Sequence, residues 1–196
     1  MQPTRRDFLR ASAGAALAGG ASVDAASAGV LEAREAPRER RGPANYEAWI
    51  EVDEGALRHN AHEVARLAGG RPVLAVVKNN AYGLGVARIG AVLDTVAEVA
   101  GLAVVKPAEA LALRAAGVRK PILFMGLADV ATGIELARQD IRLAPFTDDA
   151  GERLAAIARA VGRPVRVHLY IDSGMSRMGL PHARALPWIE ALARAP

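Results

Sequence analysis

The stretch PVLAVVKNNAYGLG, residues 72–85, joins an apolar run to a potentially reactive side chain. The apolar part is short and uninterrupted, which is typical of a strand that is covered on both faces in a parallel sheet. The run stops at Lys78, and asparagines, a tyrosine and two glycines follow it. A partly desolvated lysine at a strand end can act as a Schiff-base nucleophile or as a base. Gly83 and Gly85 allow the backbone to approach a ligand closely.

The competing interpretation of Lys78 is that its side chain simply extends from a strand end to water. Two other lysines provide a comparison. Lys106 also follows an apolar strand, but a proline and a helix start come directly after it. Lys120 precedes a strand and is therefore expected at the opposite rim of the sheet. The residues that follow Lys78 favour it as the functional lysine.

Apolar strands alternate with amphipathic helices along the rest of the chain, at about 30 residues per unit. This pattern predicts an α/β protein with a parallel sheet, either an open doubly wound sheet or part of a (β/α)₈ barrel. In both architectures the functional residues lie at the C-terminal ends of the strands. An isolated strand, AWIEVD, is predicted before the first helix, which places Leu57, Ala61, Val64 and Leu67 on one apolar face. The five predicted strands are VLAVVK, GLAVV, PILFMG, RLAPF and VRVHLYID.

A second marker is HLYIDSGMSRMGL, residues 168–180. It places Asp172, Ser173 and Gly174 at the C-terminal end of the fifth predicted strand, with Arg177 just beyond. The guanidinium fork of an arginine matches a carboxylate, so Arg177 is a candidate for binding an anionic substrate group. The competing interpretation is an ordinary surface arginine on a loop.

Together these stretches resemble the alanine racemase family, fold-type III enzymes that use pyridoxal 5′-phosphate (PLP). The family carries a V-x-K-A-N-A-Y-G-H-G segment and, later, an H-L-K-x-D-T-G-M-x-R-x-G segment. The resemblance extends from about Ala48 to the end of the chain. It includes AWIEVDEGALRHN, PAEALALRAAG and PILFMG in family order. It implies a parallel (β/α) barrel of the TIM type.

The resemblance also implies the roles of three residues. Lys78 matches the lysine that holds PLP covalently and acts as one of two catalytic acid–base groups. Tyr82 matches a tyrosine near the cofactor phosphate, and Arg177 matches an arginine near the substrate carboxylate and the PLP phenolic oxygen. The implied reaction is conversion of L-alanine to D-alanine, or racemisation of a broader range of small amino acids.

The sequence departs from the family at several positions. Asn79 and Leu84 stand where the family usually has alanine and histidine. Tyr170 replaces a lysine that is often carbamylated and helps to hold the arginine, so the orientation of Arg177 and the substrate range can differ from those of the family.

The family chain is also much longer. Its remaining part supplies three barrel strands and a C-terminal β domain, which carries the opposite-face tyrosine across a homodimer interface. We therefore expect a partial chain with about five of the eight strands of a barrel and without that β domain. The alternative is a non-catalytic PLP-binding or vestigial barrel fragment.

Composition argues against other classes of function. The net charge is only +4, and no basic stripe with interleaved aromatic residues suggests nucleic-acid binding. The absence of cysteine excludes a thiolate nucleophile, a disulfide framework and a cysteine-based zinc site. The segment HNAHE, residues 59–63, lacks the H-x-x-E-H order of a zinc motif, so no metal site is predicted.

The N-terminal region has the features of an export signal. Residues 1–28 combine the pair Arg5-Arg6 with a short apolar run and a small-x-small site at residues 26–28, which resembles a twin-arginine signal peptide. The apolar run is too short for a membrane span, and the competing interpretation is an amphipathic or disordered N-terminus. Residues 29–44 mix charges with proline and glycine and are predicted to be a flexible linker. We therefore expect a periplasmic protein whose barrel portion occupies residues 45–196.

Overall fold

The computed structural model describes residues 48–193, so the predicted signal peptide and linker lie outside the described residues. Within this part of the chain helices and strands alternate, as the sequence predicts. None of the helices in residues 48–193 combines the length and apolar content needed to cross a bilayer. The elements are α1 (Glu54–Leu67), β1 (Val73–Val76), α2 (Lys78–Tyr82), α3 (Val86–Asp94), β2 (Val99–Val104), α4 (Pro107–Ala115), β3 (Ile122–Phe124), α5 (Val130–Arg138), β4 (Ile141–Leu143), α6 (Ala150–Val161), β5 (Ile171–Asp172), β6 (Leu180–Pro181) and α7 (His182–Ala193).

The principal sheet is parallel, with its strands in the order β1-β2-β3-β4. A fifth parallel segment continues this order beside β4. The backbone N–H of Leu143 donates to the Arg166 carbonyl at 3.1 Å, and the N–H of His168 donates to the Leu143 carbonyl at 2.9 Å. Strictly sequential order is the arrangement of a (β/α) barrel, whereas a doubly wound sheet reverses its order at a switch point. The partial barrel is therefore confirmed.

The two faces of the sheet carry separate apolar clusters. Leu102, Ile122 and Phe124 point toward the helices and are almost completely buried there. The opposite face holds a smaller cluster in which Ala103 and Leu123 contact one another and their neighbours. Met125 and Tyr170 pack against this cluster, so side chains fill the inner face as they do in a barrel interior.

Local sequence signals explain where helices begin and how closely they pack. The side chain of Asp53 caps α1 by accepting from the Ala56 N–H at 3.0 Å, as N-terminal aspartates commonly do. Between α3 and α4 a Cβ added at Gly90 would lie 2.1 Å from Leu113 Cδ2. The close approach of these two helices therefore requires glycine at position 90.

One expectation about the start of the domain is wrong. Residues 48–53 form no regular strand, and Trp49 and Ile50 are 54% and 70% exposed. An isolated strand needs a hydrogen-bonded neighbour, and no described strand pairs with this segment. Val64 and Leu67 of α1 are also exposed, at 52% and 76%. On the same helix Leu57 and Ala61 pack against the core, so the predicted apolar face is covered at its start and exposed toward its C-terminal end.

Candidate active site

Lys78 lies directly beyond the C-terminal end of β1 and is half-buried. The other two lysines occupy different environments. Lys106 follows β2 but is exposed. The Lys120 ammonium donates to the carbonyls of Leu93 and Val96, before the start of β2. Lys120 is therefore at the opposite rim, as predicted, and its ammonium group is hydrogen-bonded to backbone carbonyls.

The backbone after Lys78 forms a left-handed helical turn. Asn79, Asn80 and Ala81 have φ/ψ of 54°/51°, 56°/45° and 52°/48°, and Tyr82 continues with φ 56°. Asparagine tolerates this conformation, whereas other L-residues lose about 1–2 kcal/mol each relative to a right-handed helix. Consecutive residues in this conformation persist only when surrounding contacts fix them.

Hydrogen bonds hold this turn from both ends. The Val77 N–H donates to the Ala103 carbonyl of β2 at 2.9 Å, which attaches the entry of the turn to the sheet. The Asn80 N–H donates to Glu109 Oε1, and Asn80 Oδ1 accepts from the Val86 N–H at the start of α3, both at 2.9 Å. Lys78 is therefore fixed between an anchored residue 77 and an anchored residue 80.

Glu109 is a functional candidate that the sequence reasoning did not identify. It is only 7% exposed, and its second oxygen, Oε2, accepts from the Lys106 N–H at 3.2 Å. The position of Glu109 three residues after the helix cap is a recognisable capping-box signal. Nothing in the sequence pattern indicates its bond to Asn80, which is 29 residues earlier.

The surface beyond the turn is open. The Tyr82 side chain is 66% exposed. Gly83 and Gly85 have φ of 95° and 96°, and a Cβ added at either would meet no atom within 4 Å. The space beside both glycines is therefore open.

Arg177 lies in the loop between β5 and β6 and is exposed. Asp172 shapes this loop, because its Oδ1 accepts from the N–H groups of Gly174 at 2.9 Å and Ser176 at 3.1 Å. These backbone hydrogen bonds hold the pKa of the Asp172 carboxyl below its usual range. Lys78 directly follows β1 of the principal sheet, whereas Arg177 lies ten residues beyond the Leu143–Val167 bridge, between the two strands β5 and β6 of a separate parallel sheet.

Tyr170 occupies the inner face of the sheet. Its ring contacts Phe146 in an edge-to-face arrangement, with centroids 5.9 Å apart, and packs against the cluster that includes Ala103 and Leu123. It fills with an aromatic ring the position that the family gives to a lysine.

Two histidines have polar partners of their own. His62 Nδ1 is 2.8 Å from Oε1 of Glu98, the residue before β2, and His168 Nε2 is 3.0 Å from an Arg142 nitrogen. In residues 48–193 no three potential metal ligands come together.

Comparison with known proteins identifies the family. Residues 52–196 match the family described as "Alanine racemase, N-terminal domain". The chain belongs to this family. The alanine racemase of Syntrophobacter fumaroxidans is 39% identical over 135 residues, which cover 68% of this chain and 36% of that protein. The alanine racemase of Xanthomonas campestris pv. campestris is 40% identical over 151 residues, which cover 72% of this chain and 41% of that protein.

Solved structures support the same assignment. The alanine racemase of D-cycloserine producing Streptomyces lavendulae superposes with a TM-score of 0.69 at 31% identity, covering 74% of this chain and 37% of that one. The alanine racemase of Clostridium difficile 630 in complex with cycloserine gives 0.66 at 26% identity, covering 74% and 40%. The chain therefore spans about two fifths of the length of the curated relatives that it matches.

Proposed function

We propose that this chain supplies the cofactor-binding part of a PLP-dependent racemase that acts on alanine or another small amino acid. The observation that carries the proposal is the position of Lys78. In a member of the alanine racemase family, this half-buried amine follows a barrel strand at its C-terminal end and precedes a left-handed turn that contacts fix at both ends. Such a rigid, strained support is characteristic of a functional site.

The residues present fit the cofactor. The primary amine of Lys78 matches the aldehyde of PLP, and the accessible backbone of Gly83 and Gly85 leaves room for the group beside it. The exposed phenol of Tyr82 is a hydrogen-bond donor suited to a phosphate. When bound, PLP supplies an electron sink that makes the Cα hydrogen of an amino acid acidic.

The chain's own residues then have distinct tasks. Lys78 Nζ takes the proton from Cα on one face of the substrate, or returns it in the reverse direction. The Arg177 guanidinium binds the substrate carboxylate and so fixes which face is presented. Tyr170 contacts Phe146 edge to face and packs against Ala103 and Leu123, which restricts the space on the inner face of the sheet and favours a small side chain on the substrate.

Racemisation also needs a proton donor or acceptor on the opposite face of Cα. Since the chain spans about two fifths of its relatives, we assign this task to a further segment acting in a homodimer. The test uses two proteins: the 196-residue chain, and an extended protein in which the C-terminal part of the Syntrophobacter relative follows Pro196. We expect the extended protein to convert L-alanine to D-alanine and the 196-residue chain to do so very weakly or not at all.

A chiral assay of both proteins, with PLP added, decides the proposal. Robust turnover by the 196-residue chain would show that an unrecognised residue serves the second face. Absence of turnover in the extended protein, despite a correctly folded barrel and bound PLP, would favour the alternative of a non-catalytic PLP-binding protein.

We also propose that the protein is exported to the periplasm by the twin-arginine route. The support is the sequence of residues 1–28, which lie outside the described structure. This route carries folded proteins, which suits a protein that acquires PLP before crossing the membrane. Replacing Arg5 and Arg6 with lysine should retain the precursor inside the cell. Normal export of this double variant would exclude the route and leave a general secretory signal.

A further inference from the structure

Glu109 is a buried ionisable group that the proposed reaction does not use. Its carboxylate is 7% exposed, and burial of such a group is costly unless hydrogen bonds compensate for the lost water. Both oxygens have a partner: Oε2 accepts from the Lys106 N–H, and Oε1 accepts from the Asn80 N–H. Bonds from neutral donors to a charged acceptor are stronger than ordinary ones, which accounts for the burial.

Helix capping explains only one of these two bonds. A glutamate at the third position of a helix commonly accepts from the backbone N–H of the cap residue, and Glu109 does this with Lys106. The bond to Asn80 crosses to a different βα unit, 29 residues earlier in the chain. It reaches the centre of the left-handed turn, where the backbone is strained.

This bond completes the support of Lys78. On the N-terminal side Val77 is held to β2 through its N–H, and on the C-terminal side Asn80 is held to Glu109. Asn80 also fixes the start of α3, because its side-chain oxygen accepts from the Val86 N–H. Without Glu109 the C-terminal attachment of the turn to α4 through Asn80 is lost.

We propose that Glu109 is a positioning residue: its carboxylate joins α4 to the left-handed turn and thereby fixes the direction in which Lys78 presents its amine. This inference rests on the proposed role of Lys78. A capping box accepts either glutamate or glutamine at this position. The proposed positioning role, in contrast, requires glutamate. The two N–H groups bond to different oxygens of Glu109, so glutamine in the same orientation presents its NH2 group, a donor, to one of them.

The test compares Glu109→Gln with Glu135→Gln, which alters an exposed glutamate on α5. The first readout is amide hydrogen exchange in the 196-residue chain without cofactor, followed residue by residue by NMR. We expect a protected Asn80 amide in the unaltered protein. In Glu109→Gln exchange at Asn80 or its neighbours in the turn should be about tenfold faster or more, whereas Glu135→Gln should leave it unchanged.

The second readout is the rate at which Lys78 is labelled by PLP and borohydride, which should fall in Glu109→Gln in parallel with the loss of protection. Unchanged exchange in the turn would overturn the inference, and so would faster exchange with unaltered labelling of Lys78. A rapidly exchanging Asn80 amide in the unaltered protein would overturn it even if Glu109→Gln fails to fold. Failure of the unaltered protein to label Lys78 would instead refute the proposed function, while the exchange data still decide whether Glu109 holds the turn.

Discussion

The turn after Lys78 and the loop around Arg177 share one feature, since in each a carboxylate accepts from two backbone N–H groups. The carboxylates differ in origin and environment. Glu109 is buried and belongs to another βα unit, so it ties the lysine turn to the body of the protein. Asp172 is half-buried and accepts from the N–H groups of Gly174 and Ser176, within four residues of itself.

The two parts of the candidate site therefore differ in whether tertiary or local hydrogen bonds fix their backbone. The lysine turn is fixed by tertiary contacts, so its geometry should persist in the chain without ligand. The arginine loop is organised locally, and Arg177 is exposed on it. We therefore expect substitutions at the lysine turn to affect chemistry and folding, and substitutions at the arginine loop to affect mainly substrate binding.

The largest effect should come from Lys78→Ala in the extended protein. Loss of a general acid–base group lowers the rate by about 10²–10⁴, and loss of the covalent attachment should reduce it further. A chiral assay of alanine turnover measures the change. Lys106→Ala is the matched control, because it removes an exposed amine but keeps the backbone N–H that donates to Glu109. Similar losses in both variants would contradict the distinction between these lysines.

Arg177→Ala should act on binding. Removing the charged partner of the substrate carboxylate should raise KM for alanine about 10–100-fold, with a smaller change in kcat. Arg177→Lys should recover little, because an ammonium lacks the planar fork. Arg184→Ala, which removes another exposed arginine, serves as the control. An unaltered KM in Arg177→Ala would remove Arg177 from the site.

Glycine substitutions compare the folding roles of the two regions. Gly83→Ala places a Cβ at φ 95° at the end of the supported turn and should lower the free energy of unfolding by about 1–2 kcal/mol. Gly174→Ala, at φ 133°, strains a loop that can relax by itself, so its cost should be smaller. Urea unfolding measures both variants. A larger loss of unfolding free energy in Gly174→Ala than in Gly83→Ala would contradict the expectation that the lysine turn is the more rigid region.

The sequence predicts the features that have a local pattern and misses those that depend on long-range contacts. Continuous apolar strands predict the parallel sheet, and the residues that follow Lys78 favour it over Lys106, which also ends an apolar run. The left-handed turn was not predicted, although Asn79 and Asn80 are residues that tolerate it. The bond from Asn80 to Glu109 joins residues from separate βα units, and such long-range pairing leaves no periodic signal. The segment at residues 48–53 has the composition of a strand, but a strand also needs a neighbour.

The smallest effect concerns pH and the arginine loop. Backbone hydrogen bonds lower the pKa of Asp172 from 3.8, so the loop is stabilised above that pH and loses this support as the pH falls through the lower folded-state value. The amide resonances of Gly174 and Ser176 should therefore shift with a midpoint below pH 3.8. A midpoint at or above 3.8 would show that the two hydrogen bonds do not form in solution.

The most direct test of the account is to find which lysine takes the cofactor. The 196-residue chain is incubated with PLP, reduced with borohydride, digested and mapped by mass spectrometry. Before reduction we expect absorbance in the violet, at the short-wavelength end of the visible range. After reduction and digestion we expect the label on the peptide that contains Lys78. A label of equal or greater extent on Lys106 or Lys120 would contradict the assignment of Lys78.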